Sequence, residues 1–269
     1  MSRYAHTQSR VFADEVHKAH QGNVWIHEAM AIADHSMAAT FSIPAREGGD
    51  VRFAGLMEVQ RQMAMLQLHR QAGVPVDAVF IVDRFSLRLI SQQQVPSGGT
   101  IHSHLVRTEG ARGRPFVQRL AFEMPGGVAA VGKSHAKALP RALYERLRSR
   151  TTPAATGAAS PRSSAERAEA LTVNRRDPLL SDHESDHITA VQIIAAIENA
   201  IVGREQRALA ALNLGFARYT ESKPAPELVV EELPNGRFRG RVDQGGTPTA
   251  TFSGRTRMAQ SAEARSANA

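Results

Sequence analysis

The sequence predicts an α+β fold in which two long helices are each wrapped by a curved antiparallel sheet, the second copy being shortened. Three observations predict it. Apolar residues recur at helical spacing in two separate stretches, Gly55 to Gln71 and Asp186 to about Gly203. Each stretch is followed by runs rich in β-branched and aromatic residues, set apart by Pro and Gly signals. Between the two sets lies TTPAATGAASPRSSAERAE, residues 151–169, where large apolar residues give way to Ala, Ser, Thr and Pro, the composition of a flexible linker.

Asn23 to Ala33 and Ser36 to Ile43 are rich in Val, Ile, Trp, Thr and Phe around Asp34-His35 and read as a hairpin, followed by a loop at Pro44 to Gly49. In the first helix Leu56, Val59, Met63 and Leu66 form one stripe, with Met57, Ala64 and Leu68 beside it, and Gly73 and Pro75 stop it. Four strands follow, at Ala78 to Ile90, Thr100 to Thr108, Phe116 to Glu123 and Val128 to Ala136. The second half repeats this plan: a helix with Asp186 as a fitting N-cap, then strands at Ala211 to Thr220, Glu227 to Leu233, Arg237 to Val242 and Thr249 to Arg255. Internal duplication is the simplest account. The layout is a double hotdog: a first domain at 1–150, the linker at 151–169, a truncated second domain at 170–257 and a frayed tail at 258–269.

With 269 residues, 42% hydrophobic and 22% charged, the chain has the composition of a folded globular protein. No apolar run approaches the ~20 residues of a membrane helix and the start carries no signal-peptide core, so a cytoplasmic protein is expected. The absence of cysteine removes disulfides, thiolate nucleophiles and Cys-based zinc sites. The net charge is +7, and only Lys18, Lys133, Lys137 and Lys223 of the 33 basic residues are lysines. The arginines are scattered, with no basic block and few aromatics to stack bases, so nucleic acid is not the expected partner. A basic face for a phosphorylated metabolite or an acidic carrier protein fits the same charge.

Two groups of residues carry chemistry. Glu58 and Arg61 share a face near the start of the first helix, either as a surface ion pair or as a partly buried carboxylate of raised pKa beside free helix N–H groups that would receive an oxyanion. In the second half Asp182-His183-Glu184-Ser185-Asp186-His187 places two Asp-His pairs just before a helix. That cluster suits an oriented general base or simple capping. It lacks the spacing of a zinc site, so no metal is expected.

At these residues the sequence resembles the A-factor biosynthesis (AfsA-like) family, double-hotdog proteins that initiate γ-butyrolactone autoregulator synthesis. Val16-His17-Lys18 resembles the family's opening, Leu56-Met57-Glu58-Val59-Gln60-Arg61-Gln62 its Glu-x-x-Arg-Gln helix, and Gly73-Val74-Pro75 the turn after it. Asp182-His183-x-x-Asp186-His187 and Phe216-x-x-Tyr219-x-Glu221 with Pro224 continue the likeness through nearly the whole chain. There are departures: an ungapped count puts Ala195, Glu198 and Asn199 where the second helix of the family repeats Glu-x-x-Arg-Gln, and Thr189-Ala190 replaces Pro-Gly. About a dozen residues separate Leu171 from Asp182, too few for a hairpin like that of the first half.

The surviving pieces are complementary, so one composite site is expected. The resemblance implies an acyltransferase of γ-butyrolactone-type signal biosynthesis, moving a β-ketoacyl group from a carrier-protein thioester to a hydroxyl of dihydroxyacetone phosphate. Glu58 or His183 would take the hydroxyl proton and Arg61 would hold phosphate or the oxyanion, with Gln62, Asp182, Asp186 and His187 binding substrate and Met57, Met63 and Met65 lining an acyl tunnel. No cofactor or membrane is implied, and a homodimer is an available assembly. The alternatives are a degenerate hotdog that binds acyl chains, acyl carrier protein or a partner subunit without catalysis, and an acyl-thioester dehydratase or thioesterase on the same scaffold.

Overall fold

The computed structural model describes residues 8–44, 52–90, 95–107, 115–150, 163–174, 177, 182, 185, 187–202 and 207–258. A short strand β1 (Ser9–Arg10) and two 3-10 turns, Asp14–Val16 and Gln21–Asn23, lead into the hairpin β2 (Ile26–Ala33) and β3 (Ser36–Ser42). His35 turns the hairpin at φ 66°. This is an uncommon conformation for a residue with a Cβ, and it is fixed from outside by the Leu105 N–H and the Gln67 amide, both donating to the His35 carbonyl.

Helix α1 (Phe53–Ala72) is buried on nearly every side, not along one stripe. Gln60, Gln62 and Gln67 are fully buried with its apolar residues; buried amides usually find partners, and Gln62 and Gln67 do, whereas Gln60 donates to the Ser86 carbonyl but its Oε1 accepts no hydrogen bond among the described residues. Gln67 accepts from Ser103 Oγ at 2.6 Å and from Gln118 Nε2 at 3.0 Å, and donates to Gln71 as well as His35. Gln60 sits so close to Gly132 that a Cβ there would lie 2.2 Å from its Oε1. The helix ends at Gly73, φ 65°, where the Val74 N–H returns to the Leu68 carbonyl, a left-handed C-terminal cap.

β4 (Val79–Leu89), β5 (Gly98–Arg107), β6 (Phe116–Met124) and β7 (Gly127–Leu139) complete the first half. Then come α2 (Arg141–Arg150), β8 (Glu166–Ala170), β9 (His187–Ile188), α3 (Ala190–Val202), β10 (Arg207–Phe216), β11 (Thr220–Glu221), β12 (Glu227–Leu233), β13 (Arg237–Gln244) and β14 (Thr247–Met258). β9 and β11 pair with each other; the other twelve strands form one antiparallel sheet in the order β1-β2-β3-β5-β6-β7-β4-β10-β14-β13-β12-β8. In this sheet β3-β5-β6-β7-β4 are followed by β10-β14-β13-β12-β8, and the halves join where β4 pairs with β10. Their apolar faces share one core that runs from Trp25 and Leu56 through Ile194 and Ile197 to Phe238 and Phe252.

Several boundaries differ from the sequence expectation. The linker composition extends to residue 169, yet Glu166–Ala170 forms β8, because its backbone completes the open edge of β12. α3 starts at Ala190, and its cap is a reciprocal pair: Gln192 N–H donates to Thr189 Oγ1 and Thr189 N–H to Gln192 Oε1. Asp186, expected in that role, lies outside the described residues, as do 45–49 of the expected loop and the tail beyond 258. The strand expected at 211–220 ends at Phe216, and Thr220 belongs to β11. α2 was not expected at all.

Candidate active site

A cavity of about 390 Å³ opens between α1, the start of β4 and the segments around β9 and β11. Leu68, Val79, Ile81, Phe85, Ile188 and Ile193 are among its apolar lining; Lys18, Glu58, Arg61 and Asp182 give it an ionic region. Both halves of the chain therefore contribute. Glu58, Arg61, Asp182 and His187 line it; Gln62 does not; His183 and Asp186 lie outside the described residues.

Glu58 is the centre of the ionic region. It stands in the second turn of α1, and its side chain and that of Lys18 are 2% and 4% exposed, with Nζ 3.1 Å from Oε1. Oε1 also accepts from Arg61 Nη2 at 2.7 Å and Gln62 Nε2 at 2.9 Å, and Oε2 accepts from Arg61 Nε at 2.8 Å. Burial pushes this carboxyl up, but the charges of Arg61 and Lys18 and the hydrogen bonds from Arg61 and Gln62 outweigh it and hold the pKa at about 2. The expectation of a raised pKa is thus reversed, because the same burial that disfavours the charge encloses two cations beside it.

The remaining bonds tie this centre to the N-terminal segment. Arg61 Nη1 lies 2.8 Å from Met65 Sδ, and Nη2 donates to the Val16 carbonyl at 3.3 Å. Gln62 spans from Glu58 to the segment just before β2, donating to the Asn23 carbonyl and accepting from the Trp25 N–H at 2.8 Å. Asp182 accepts from the Ala19 N–H at 2.5 Å and from the Asn23 amide, and its charge further favours the Arg61 cation. The guanidinium is engaged by Glu58 in a two-point pair, the arrangement that fixes an arginine most firmly.

The helix N–H groups expected to receive an oxyanion are taken. Glu198 of α3 accepts from Phe53 N–H at 2.9 Å and Ala54 N–H at 3.0 Å. Of the three methionines expected along an acyl tunnel, Met65 lines the cavity, while Met57 and Met63 are fully buried in the core. His17, Lys18 and Tyr219, which belong to motifs of the resemblance but were given no role in the site, also face the cavity, as does Arg218, which the sequence did not single out. Tyr219 stacks edgewise on His187 at 4.8 Å between ring centres and carries Arg148 of α2 over its ring at 4.7 Å. Arg218 is exposed at this wall. Among the described residues no cluster of three His, Asp or Glu is placed to hold a metal ion, and no helix is long and apolar enough to cross a membrane.

Residues 2–140, more than half of the 269-residue chain, match the family model AfsA, the A-factor biosynthesis hotdog domain. The chain belongs to this family. The match covers the first half of this AfsA-family chain, including Lys18, Glu58, Arg61 and Gln62; the resemblance at 182–187 and 216–221 lies beyond it. Among solved structures it is similar to a 12:0-ACP thioesterase from Umbellularia californica, with a TM-score of 0.60 and 11% identity over 85% of this chain and 100% of that one. It is also similar to an acyl-ACP thioesterase from Bacteroides thetaiotaomicron, with a TM-score of 0.56 and 10% identity over 83% and 98% of the two chains. At such identities the likeness is one of fold, a hotdog α+β fold that extends into the second half. No curated protein matches the AfsA-family chain in sequence.

Proposed function

We propose that this AfsA-family protein is a double hotdog, its second repeat shortened at the edge beyond β8, and that it is a β-ketoacyl transferase with one composite active site. The donor is a β-ketoacyl thioester of a carrier protein, and the acceptor is a hydroxyl of dihydroxyacetone phosphate or a similar small phosphorylated alcohol. The observation that carries this reading is the wall of the cavity, apolar along α1 and β4 for an acyl chain and ionic at Lys18, Glu58, Arg61 and Asp182. Family membership supports an acyl-thioester substrate.

In the reaction the acceptor oxygen attacks the thioester carbonyl, the C–S bond breaks, and the hydroxyl proton ends on the departing thiol. The cations of Lys18 and Arg61 stabilise the tetrahedral oxyanion. Glu58 is their counter-charge and fixes their position; with a pKa of about 2 it is a weak base, so a histidine takes the proton. Arg218, an exposed cation at the cavity wall, holds the acceptor phosphate at the rim. Holding two substrates side by side itself lowers the barrier by several kcal/mol, so no covalent acyl-enzyme is required.

The test is mass spectrometry of the purified protein incubated with a β-ketoacyl carrier protein and dihydroxyacetone phosphate, alongside Glu58→Gln. A phosphorylated ester, or the butenolide it closes to, is the expected product and is lost in the variant. Free β-keto acid without ester would replace transfer by thioester hydrolysis. Intact thioester retained on the protein would favour the second reading, a non-catalytic acyl-binding hotdog. That reading draws on Glu198, which stands where the family repeats its helix arginine and serves here as a structural cap.

A further inference from the structure

We infer that the chain carries a second binding site, on the outer face of the sheet where the two halves join, for a small molecule with several phosphate groups, such as a nucleoside triphosphate or an inorganic polyphosphate. A groove of about 680 Å³ runs there, within the size range of small-molecule sites. It is separate from the candidate active site, because the two lie on opposite faces of β4: Phe85 lines the cavity, and its neighbours Arg84 and Ser86 line the groove. The inference therefore does not depend on the acyl-transfer reading.

The charge of the groove follows from strand alternation. Phe85 and Leu87 of β4, Leu212 and Leu214 of β10 and Phe238 of β13 are buried, so the residues that alternate with them point away from the core. In register, one outward row runs Lys133, Ser86, Asn213, Ser253 and Arg239 across β7, β4, β10, β14 and β13. The next runs Arg88, Ala211, Arg255 and Arg237 across β4, β10, β14 and β13. Small uncharged side chains make the floor, and cations stand at the ends of both rows. Arg84, Arg88, Lys133, Arg237 and Arg239 line the groove and are exposed, and among the described residues no carboxylate lines it. Glu231, on the neighbouring strand β12, meets Arg239 at 2.6 Å. Arginines that look scattered along the sequence are thus gathered by the pairing of strands far apart in it.

The pairing itself points to an anion. Arg237 of β13 is the direct register partner of Arg255 of β14, and Lys133 of β7 that of Arg119 of β6; all four are exposed. Like charges directly opposite one another destabilise a sheet, and a multiply charged anion shared between them reverses the sign of that interaction. Arginine meets phosphate oxygens in two-point contacts, and cations lining a cleft raise the local concentration of anions. Arg88 and Arg237 stand three strand spacings apart, about 14 Å, so a single phosphate cannot meet both walls, whereas a ligand with several, contacted by long arginine side chains, can. Among the described residues the one Phe, Tyr or Trp of the lining is Phe238, which is buried. The groove therefore offers no ring on which the successive bases of a single strand would stack, which favours a compact polyphosphate over a polynucleotide.

The test is isothermal titration calorimetry of the full chain with sodium tripolyphosphate, and separately with ATP, in low salt, together with urea unfolding in the presence and absence of each. Tripolyphosphate is expected to bind at a single site, with an affinity that falls tenfold or more in the double variant Arg88→Gln, Arg237→Gln and several-fold in Lys133→Gln, on a separate strand. Arg218→Gln, at the wall of the other cavity, is expected to bind it as the wild type does. Tripolyphosphate should also raise the urea midpoint of the wild type and leave that of the double variant where it was. ATP held within a few-fold of tripolyphosphate assigns recognition to the phosphates alone; ATP held more than tenfold tighter assigns the site to a nucleotide. Neither heat nor stabilisation with either probe at about 1 mM, equal affinity in the folded double variant and the wild type, loss of binding in Arg218→Gln, or binding of a single-stranded oligonucleotide without binding of tripolyphosphate would each overturn the assignment. None of these outcomes bears on the acyl-transfer reading, which the ester assay tests by itself.

Discussion

The carboxylate of Glu198 caps the helix that begins at Phe53, accepting that residue's N–H at 2.9 Å and the next one, from Ala54, at 3.0 Å. The residue before the helix, Arg52, provides no side-chain cap, and the first turn holds no acidic residue. A buried carboxylate from α3 thus supplies what the local sequence lacks and pins the two helices to each other. Glu198→Ala leaves two donors unsatisfied at a buried helix end and is expected to cost about 2 kcal/mol, measured by urea unfolding. Glu198→Gln retains an acceptor and is expected to lose about half as much; equal stability in both variants would refute the capping role.

Acid should act on the fold through Glu58. Its pKa falls from 4.5 to about 2 on folding, so the folded state binds this proton less tightly than the unfolded state. The resulting stabilisation is fully present above about pH 4.5 and is lost as pH falls through about 2, with a magnitude of the order of 3 kcal/mol. Glu58→Gln is expected to flatten the pH dependence of unfolding in that window. It also leaves Lys18 and Arg61 without their counter-charge, so at pH 7 the variant should be less stable by about 3–5 kcal/mol; a pH profile parallel to that of the wild type would show that Glu58 does not carry the linkage.

The features legible in the sequence are those whose cause is local. The strand at Glu227–Leu233 and the hairpin around Asp34-His35 were readable because residue type and turn signals sit within a few positions of each other, and α1 because Gly73 closes a helical repeat. α2 escaped because RALYERLRSR has few apolar residues and follows β7 after a single residue, Pro140. The spacing of Glu58, Arg61 and Gln62 announced a shared helix face, but nothing local announced Lys18, which reaches Glu58 from the N-terminal segment. The Glu198 cap spans 145 residues. The sign of the Glu58 pKa shift is likewise a property of the assembled site, since burial raises it and Arg61, Lys18 and Gln62 together outweigh that burial.

Arg218 offers a test of how the acceptor is recognised. On the proposed reading this exposed cation at the cavity wall would meet the acceptor's phosphate and not the reacting carbonyl, so its loss should affect binding more than the chemical step. Arg218→Gln is expected to raise KM for dihydroxyacetone phosphate about tenfold, a charge-assisted contact of about 1–2 kcal/mol, and to leave kcat within about twofold. Unphosphorylated dihydroxyacetone should be used equally well by both proteins. A fall in kcat with unchanged KM would instead move Arg218 into the catalytic step.

The methionines of α1 separate packing from specificity. Met57 is fully buried in the core and away from the cavity, whereas Met65 lines it with its sulfur 2.8 Å from Arg61 Nη1. Met57→Ala is expected to cost about 2–5 kcal/mol of stability and to leave the preferred acyl length unchanged. Met65→Phe adds volume at the cavity wall, so long β-ketoacyl thioesters should lose kcat/KM by tenfold or more while short ones are little affected. Competition between a four-carbon and a ten-carbon donor in one reaction, read by mass spectrometry, measures that ratio directly. If Met57→Ala shifted the ratio and Met65→Phe did not, the acyl chain would run through the core on the far side of α1 and the cavity described here would be a site for the acceptor alone.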